Sequence, residues 1–260
     1  MVIRILIFLI LVLCIGYSSQ NLSESPEKVL FKAKEMIEKG ENQWVSENFL
    51  KAKSLLQEAL KEKFYIYLFY YYIALSDYRL SIYHLQAKDK KKAKDFIEEG
   101  IKNLERSIKE KGDFSDSYAL LGALLGLKIS ISWYLAPSLG PKSSKEIEKA
   151  IQLDPDNPRA YLIKGISSYN TPVIFGGGVS KATKDLELSI KLFEKEKKDS
   201  SIEPSWGMGE AYARLGLCYI KKGDKKKAEE IFIEGISKAP EYSWLRHHLE
   251  KLKKSHKEVK

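Results

Sequence analysis

The residues whose chemistry best suits catalysis or metal binding are four histidines: His84, His247, His248 and His256. His247 and His248 are adjacent, so on a helix their side chains point about 100° apart and cannot easily bind one ion. Acid pairs such as Glu229-Glu230 lie in charged helical segments, and no nucleophile motif or paired-cysteine spacing occurs. The sequence therefore predicts no catalytic residue, no metal site, no cofactor and no enzyme activity.

Three consecutive glycines, Gly176 to Gly178, could present backbone N–H groups to a phosphate in front of a helix. However, no Lys-Ser/Thr pair follows them in P-loop order and no strand precedes them. The simpler interpretation is a wide turn, in which glycine adopts backbone shapes that other residues avoid. We favour the turn and keep phosphate binding as the alternative.

The N-terminus reads MVIRILIFLILVLC, and an uninterrupted apolar run extends from Ile5 to Ile15. This run is too short to span a bilayer comfortably but suits the core of a signal peptide. We predict a signal peptide at residues 1–19 and export to the periplasm or envelope. The alternative is a lipid anchor at Cys14, although bulky Leu13 stands where such motifs have a small residue. Cleavage would leave Cys218 alone, so no internal disulfide is expected.

Lysine gives the 260-residue chain a formal net charge of +9. The excess is concentrated in Lys88–Lys94, Lys221–Lys227 and Lys251–Lys260. Such runs are typical of solvated helix faces, and the alternatives are an acidic partner or an anionic lipid surface. Because export is predicted, nucleic acid is not expected as a partner.

The segment 209–242, GEAYARLGLCYIKKGDKKKAEEIFIEGISKAPEY, has the pattern of two helices joined by a turn at Gly223-Asp224. Large and small residues share one face of each helix at helical spacing: Tyr212, Gly216, Tyr219, Ala228, Phe232 and Gly235. The small residues let the two helices approach closely, and the aromatic side chains fill the space between them.

This pattern resembles the tetratricopeptide repeat, and similar spacing occurs at 115–157 and 158–196. The stretch 149–182 also resembles a group of exported bacterial repeat proteins with a glycine-rich insertion. The resemblance implies an all-α fold, a right-handed α-solenoid of helix–turn–helix repeats.

We expect the chain to be organised as degenerate helical repeats at 25–111, tetratricopeptide repeats at 115–242, and a capping helix with a basic tail at 243–260. The first helix is predicted to begin at Pro26 and to stop at Gly40. Pro137, Gly140 and Pro141 predict a loop at 136–142, and Ser143 with Glu146 predicts a capped helix start. The aromatic stretch 64–75, FYIYLFYYYIAL, is predicted to be a buried helix, with an exposed aromatic binding surface as the alternative.

The resemblance also implies a concave groove, lined by the first helix of each repeat, that binds an extended peptide or a partner helix. The groove residues predicted to bind the partner are Arg159, Leu162, Ile166, Tyr169 and Leu217. Arg159 and Tyr169 are the most ligand-like, because they offer a fork of donors and an amphipathic ring. A purely structural role for each is the alternative.

The predicted function is a non-enzymatic scaffold that binds a peptide or partner protein in this groove. The alternative is an accessory component of periplasmic solute uptake that binds a substrate-binding protein or a small ligand. A scaffold should expose Arg159 and Tyr169 in an open groove, whereas an uptake component should enclose an aromatic-lined cavity around Tyr65 to Tyr72. Membrane contact is expected only through the signal peptide or, alternatively, an anchor at Cys14.

Overall fold

The computed structural model of the protein describes residues 24–61, 64–197 and 200–257, which contain eleven α-helices and no strand. The predicted all-α fold is confirmed. The signal peptide predicted at 1–19, with Cys14, lies outside the described residues, as does the end of the basic tail from residue 258. The helices are α1 (Pro26–Gln43), α2 (Ser46–Glu58), α3 (Ile66–Gln86), α4 (Lys90–Glu110), α5 (Ser115–Ile131), α6 (Ala136–Leu153), α7 (Pro158–Asn170), α8 (Val179–Lys195), α9 (Met208–Lys221), α10 (Lys225–Lys238) and α11 (Ser243–Lys257).

Helices α1 to α10 form five antiparallel hairpins that stack along the chain, and α11 packs on the last of them. In each hairpin the first helix (α1, α3, α5, α7 or α9) packs against its second helix and also against the neighbouring hairpin. Two single turns of 3₁₀ helix, Trp133–Leu135 and Val173–Phe175, lie in the connections within the third and fourth hairpins. The described chain is therefore an α-solenoid.

Close approach of the two helices in a hairpin depends on small residues. A Cβ atom on Gly216 of α9 would lie 2.6 Å from Cζ of Phe232 in α10. In the preceding hairpin, a Cβ atom on Gly165 of α7 would lie 2.7 Å from Cγ of Leu186 in α8. The same small-against-large contact thus recurs in successive hairpins, as the sequence spacing predicts.

A pair of glycine substitutions should therefore have opposite effects on stability. We expect Gly216→Ala to lower the free energy of unfolding by about 1–3 kcal/mol, because the buried ring of Phe232 cannot move aside. Gly126→Ala, in the middle of α5 with open space around it, should raise it by about 0.5–1 kcal/mol through helix propensity. Urea denaturation followed by circular dichroism measures both, and equal effects would contradict the packing argument.

Gly40 does not stop the first helix, contrary to the sequence-based prediction. Helix α1 continues to Gln43 and ends at Trp44, whose backbone is left-handed at φ 54°. Gly40 instead allows a close contact with Phe49 of α2, whose ring lies where a Cβ atom would be. The glycine is needed for packing rather than for termination.

The loop predicted at 136–142 is also wrong, because these residues form the first turns of α6. Pro137 lies in the first turn, where a backbone N–H has no helical acceptor, so its missing donor costs little there. Ser143 is inside the helix rather than at its start, and its hydroxyl donates to the carbonyl of Gly122 at 2.8 Å. The two prolines are accommodated near the N-terminus of α6 and do not break it.

The aromatic helix α3 is buried along most of its length, as predicted for a core helix. Phe69, Tyr71 and Tyr72 are fully buried, whereas Phe64, just before the helix, is exposed. Within the described ranges, no helix combines the length and apolar character needed to cross a membrane.

The stack of hairpins bends until its two ends meet. Helix α11 contacts α1, and the rings of Trp44 and Trp244 meet edge to face with centres 5.5 Å apart. This contact joins the connection after α1 to the first turn of α11, so the solenoid closes on itself in a superhelical turn, which we call the ring. The first helices of the hairpins consequently surround an inner face rather than an open groove.

Candidate functional site

The inner face is crossed by ion pairs between first helices that are distant in sequence. Arg79 of α3 donates from Nε to Glu41 of α1 at 2.6 Å and from Nη1 to Glu210 of α9 at 2.8 Å, and all three side chains are buried. Burial raises the pKa of Glu41. For Glu210 the effect of burial is outweighed by Arg79 and Arg214, which lower its pKa. This triad ties the first, second and fifth hairpins together.

Arg159 belongs to a second buried ion cluster and is only 5% exposed. Its Nε donates to Asp116 at 2.5 Å, and its Nη2 pairs with Glu196. The expectation that Arg159 is exposed in an open groove is therefore wrong. Two carboxylates offset the cost of removing its charge from water and hold it inside. Leu162, one turn further along α7, is also buried.

The inner face beside Arg159 is occupied by the protein's own chain. Residues 200–207, called the inserted segment here, connect α8 to α9 and contact α1, α3 and α7. Alternate side chains of this segment, Ile202, Pro204 and Trp206, are buried. The backbone turns at the start of the segment, where the N–H of Glu203 donates to the carbonyl of Ser200 at 3.2 Å, and one face of the segment packs against the protein.

Side chains of the first helices bind the inserted segment through its backbone. Lys34 donates to the carbonyl of Ser201 at 2.8 Å, and Tyr72 donates to that of Ile202 at 2.7 Å. Arg159 donates to the carbonyl of Trp206 at 3.4 Å.

The indole of Trp206 is held as closely as its backbone. Its Nε1 donates to the hydroxyl of Tyr71 at 2.7 Å, and the guanidinium of Arg79 lies 5.0 Å from the ring centre. Tyr71 in turn meets the rings of Tyr72 and Phe114 at 5.3 and 5.2 Å. The space around Tyr71 and Tyr72 is therefore filled by aromatic contacts, and it is not the aromatic-lined cavity expected of an uptake component.

Three of the predicted groove residues do meet, at a pocket between α7 and α9. Ile166, Tyr169 and Leu217 are all half-buried there. Lys221 approaches to 4.4 Å from the centre of the Tyr169 ring. The remaining lining residues are Gly165, Asn170, Leu186, Arg214 and Cys218. We call this site the inner pocket. It offers apolar contact with two cations close by, Arg214 and Lys221.

The three glycines of the glycine-rich connection use their backbone donors within the turn. The N–H groups of Gly176, Gly177 and Gly178 donate to the carbonyls of Val173, Pro172 and Ser168. Gly176 and Gly178 have φ values of 80° and 110°, which other residues rarely adopt. The glycines therefore form the turn that the sequence favours, and their own N–H groups are not available to a phosphate.

The histidines that the structure describes do not assemble a metal site. Among the described residues, no group of three or more His, Cys, Asp or Glu side chains is placed to hold a metal ion. His248 stacks on Phe232 with ring centres 5.7 Å apart, and burial lowers its pKa to about 4. It is therefore a neutral packing residue near pH 7.

Asp77 of α3 is the buried carboxylate with the clearest consequence for pH dependence. It accepts a hydrogen bond from Lys53 at 2.7 Å, but Lys53 also pairs with Glu99 and so shares its charge. Burial raises the pKa of Asp77 to about 7, since the attraction of Lys53 only partly opposes it.

The free energy of unfolding should fall as pH rises from about 4 to 7 through Asp77. Its pKa is higher in the folded than in the unfolded state, so its contribution is complete below the unfolded value and is lost as pH rises through about 7. Urea denaturation of the wild type and Asp77→Asn at a series of pH values isolates this contribution. We expect the difference between the two proteins to change across this interval, and a constant difference would contradict the assignment.

Comparison with known proteins identifies the repeat directly. Residues 209–242 match the family model of the tetratricopeptide repeat. No curated protein matches the chain in sequence. Among solved structures, the HusA haemophore from Porphyromonas gingivalis is 22% identical and superposes with a TM-score of 0.62 over 73% of this chain and 94% of HusA. TTC0263, a thermophilic tetratricopeptide-repeat protein of Thermus thermophilus, is 15% identical and superposes with a TM-score of 0.59 over 85% of this chain and 98% of its own.

The chain is thus an α-solenoid of stacked helical hairpins, a class of protein that generally serves as a scaffold for protein–protein interaction. More particularly, it contains a tetratricopeptide repeat at 209–242 and has the fold of tetratricopeptide-repeat proteins.

Proposed function

We propose that this protein is an exported, non-enzymatic scaffold that binds an apolar segment of a partner protein or peptide at the inner pocket. The observation that carries the proposal is the meeting of Ile166, Tyr169 and Leu217, which come from two successive first helices and remain accessible. The pocket encloses only about 10 Å³, so a ligand side chain would pack across its half-buried apolar and aromatic rim rather than enter it. Arg214 and Lys221 favour a partner that carries an acidic residue or a carboxylate next to its apolar anchor.

The inserted segment supports the peptide-binding part of the proposal. The inner face already accommodates a stretch of chain without helix or strand, with alternate side chains buried and backbone carbonyls hydrogen-bonded by the first helices. Main-chain hydrogen bonds combined with pockets for alternate side chains are a recurrent mode of peptide recognition. A partner segment would use the same chemistry at the inner pocket, which the inserted segment leaves open.

Selection from a random peptide library displayed on phage tests this proposal. The wild type should enrich peptides with an apolar anchor near an acidic residue, and Tyr169→Ala with Leu217→Ser should abolish that enrichment. The matched control is Leu50→Ser with Ile233→Ser, which removes two exposed apolar side chains from the second helices α2 and α10. Equal enrichment by the wild type and the pocket variant, or no enrichment by the wild type, would contradict the proposal.

Export is tested separately by determining the N-terminus of the protein isolated from its native cells. A first residue close to Gln20 supports removal of residues 1–19 as a signal peptide. A lipid-modified Cys14 at the N-terminus would favour the anchor instead, and an intact Met1 would contradict processing.

A second candidate function is the binding of a small apolar ligand with acidic groups. It is favoured by the combination of apolar contact, the Tyr169 phenol and Arg214 in one pocket, with Lys221 over the Tyr169 ring. HusA, whose fold this chain shares over most of HusA's length, is a haemophore, so haem is the first ligand to test.

Titration with haemin distinguishes this candidate from peptide binding. Saturable growth of a Soret absorbance band that is weakened in Tyr169→Phe and lost with Leu217→Asp would support it. An absorbance change that is identical in all three proteins would mean nonspecific association and would remove this candidate.

A further inference from the structure

One edge of the solenoid displays a set of apolar side chains to solvent. This edge, called the turn edge here, consists of the connections between the first and second helices of the hairpins. Trp133 and Tyr134 project from the third hairpin, and Val173, Ile174 and Phe175 project from the fourth. Exposure reaches 81% for Trp133 and 85% for Ile174. These five are among the six most exposed large apolar side chains in the described part of the protein. Strongly exposed apolar side chains are therefore concentrated at this edge.

The two apolar connections belong to neighbouring hairpins and lie at the same edge. First helices of successive hairpins run in the same direction in a solenoid, and α5 packs against α7. The C-terminal ends of α5 and α7, from which these connections emerge, therefore lie at the same edge. The five side chains therefore project from the same edge of two neighbouring hairpins, and we call them the apolar patch.

Backbone hydrogen bonds hold the conformation of these connections, although their apolar side chains are mostly exposed to solvent. Hydrogen bonds from Gly177 to Pro172 and from Gly178 to Ser168 close the second connection at 3.2 and 2.8 Å. In the first, the N–H of Leu135 donates to Ser132 at 2.9 Å. The apolar side chains are thus held outward by local geometry, which is unfavourable in water unless something covers them.

The apolar patch is surrounded by positive charge. The segments 86–92, 132–142, 170–181 and 220–227, which form the turn edge around it, contain eleven lysines and two acidic residues. Those two acids, Asp89 and Asp224, cap α4 and α10 by accepting hydrogen bonds from backbone N–H groups.

The opposite edge has the reverse balance. Counted with adjoining helix ends, as on the turn edge, its described segments contain six basic and ten acidic residues; these segments are 58–61, 64–68, 110–117, 153–160, 195–197, 200–210 and 238–245. The turn edge is therefore positively charged and the opposite edge negatively charged. The apolar patch lies on the positively charged edge.

We propose that the turn edge docks on a bilayer surface that is rich in anionic phospholipid. Trp133 and Tyr134 have the amphipathic rings that favour the headgroup level, and Val173 to Phe175 enter the boundary of the acyl chains. The surrounding lysines contact the anionic headgroups. This contact is additional to any N-terminal signal or anchor and does not depend on the inner pocket.

Flotation of the full chain with vesicles tests the proposal. Binding to vesicles of phosphatidylcholine with phosphatidylglycerol should fall at least about tenfold when Trp133, Tyr134, Val173, Ile174 and Phe175 are all replaced by serine. The control is Phe31→Ser with Leu50→Ser and Ile233→Ser, which removes exposed apolar side chains elsewhere and should leave binding unchanged. All proteins retain the N-terminal apolar run, so the difference between them reports the turn edge.

The charge contribution has its own matched pair of variants. Lys91→Gln with Lys142→Gln and Lys226→Gln, on the turn edge, should weaken binding, and added salt should reduce the wild-type affinity. The triple variant Lys61→Gln, Lys111→Gln and Lys197→Gln, on the opposite edge, should not weaken binding.

Fluorescence places the contact at a specific residue. Brominated phosphatidylcholine should quench the wild type more than Trp133→Phe, since Trp133 is expected to reach the acyl boundary. Equal quenching of these two proteins, equal flotation of the serine and control variants, or equal binding to neutral and anionic vesicles would each overturn the proposal. Absence of vesicle binding by the wild type would leave the patch to a protein partner and would also overturn it.

Discussion

Replacing Arg79 by methionine is expected to lower the free energy of unfolding by about 3–5 kcal/mol. Arg79 lies between Glu41 and Glu210, and its removal leaves Glu41 buried without its cation and Glu210 paired with Arg214 alone. An uncompensated buried charge is far more costly than the loss of an exposed ion pair. Because the triad joins the first, second and fifth hairpins, the ring should also open more easily in this variant.

Two further proteins separate the charge effect from lost packing. The triple variant Arg79→Met, Glu41→Met and Glu210→Met replaces all three charges by apolar side chains and should recover most of the lost stability. Lys238→Met removes a cation from an exposed pair with Glu194 and should change stability little. Urea denaturation of the four proteins at one pH gives the comparison. Equal destabilisation in the single and triple variants would mean that the arginine acts through packing alone.

The sequence predicts the hairpins well because their signals are local. Gly216 and Phe232 belong to a pattern of small and large residues at helical spacing within the 34 residues that match the repeat model. The structure places these two residues in contact. The misplaced boundaries have a common cause. Gly40 and Pro137 are usually breakers, but a neighbouring helix or an N-terminal position made each of them compatible with helix.

Closure of the ring could not be predicted in the same way. It depends on the sum of small rotations between five hairpins, none of which is encoded in one stretch of sequence. Contacts such as that between Trp44 and Trp244 join residues 200 positions apart. The inserted segment likewise follows no repeat pattern, so its place on the inner face emerged only with the fold.

The burial of Arg159 did have a sequence signal. Asp116, Arg159 and Glu210 lie in the first turn of α5, α7 and α9. Opposite charges at similar positions of stacked helices favour pairing across the stack. Asp116 and Arg159 indeed pair with each other. Position in the repeat correctly predicted that Arg159 faces inward, but the inward side at this point is the packed core and not an open groove.

Replacing Trp206 by alanine should destabilise the protein by about 3–5 kcal/mol, the usual cost of removing a large buried aromatic side chain. Trp206 is almost fully buried and anchors the inserted segment on the inner face. Its loss would leave the hydroxyl of Tyr71 without its indole donor and remove the ring beside Arg79. The segment has few other large side chains, so its ordering should depend strongly on this one.

The chain offers a matched control in Trp133, which is the same residue type at an exposed position. Trp133→Ala should leave the free energy of unfolding nearly unchanged, because its ring is already in water. Hydrogen exchange adds a local measurement: in Trp206→Ala the amides of residues 200–207 should exchange faster, while those of α4 stay protected. If stability falls but exchange in this segment does not change, Trp206 supports the ring as a whole rather than holding the segment in place.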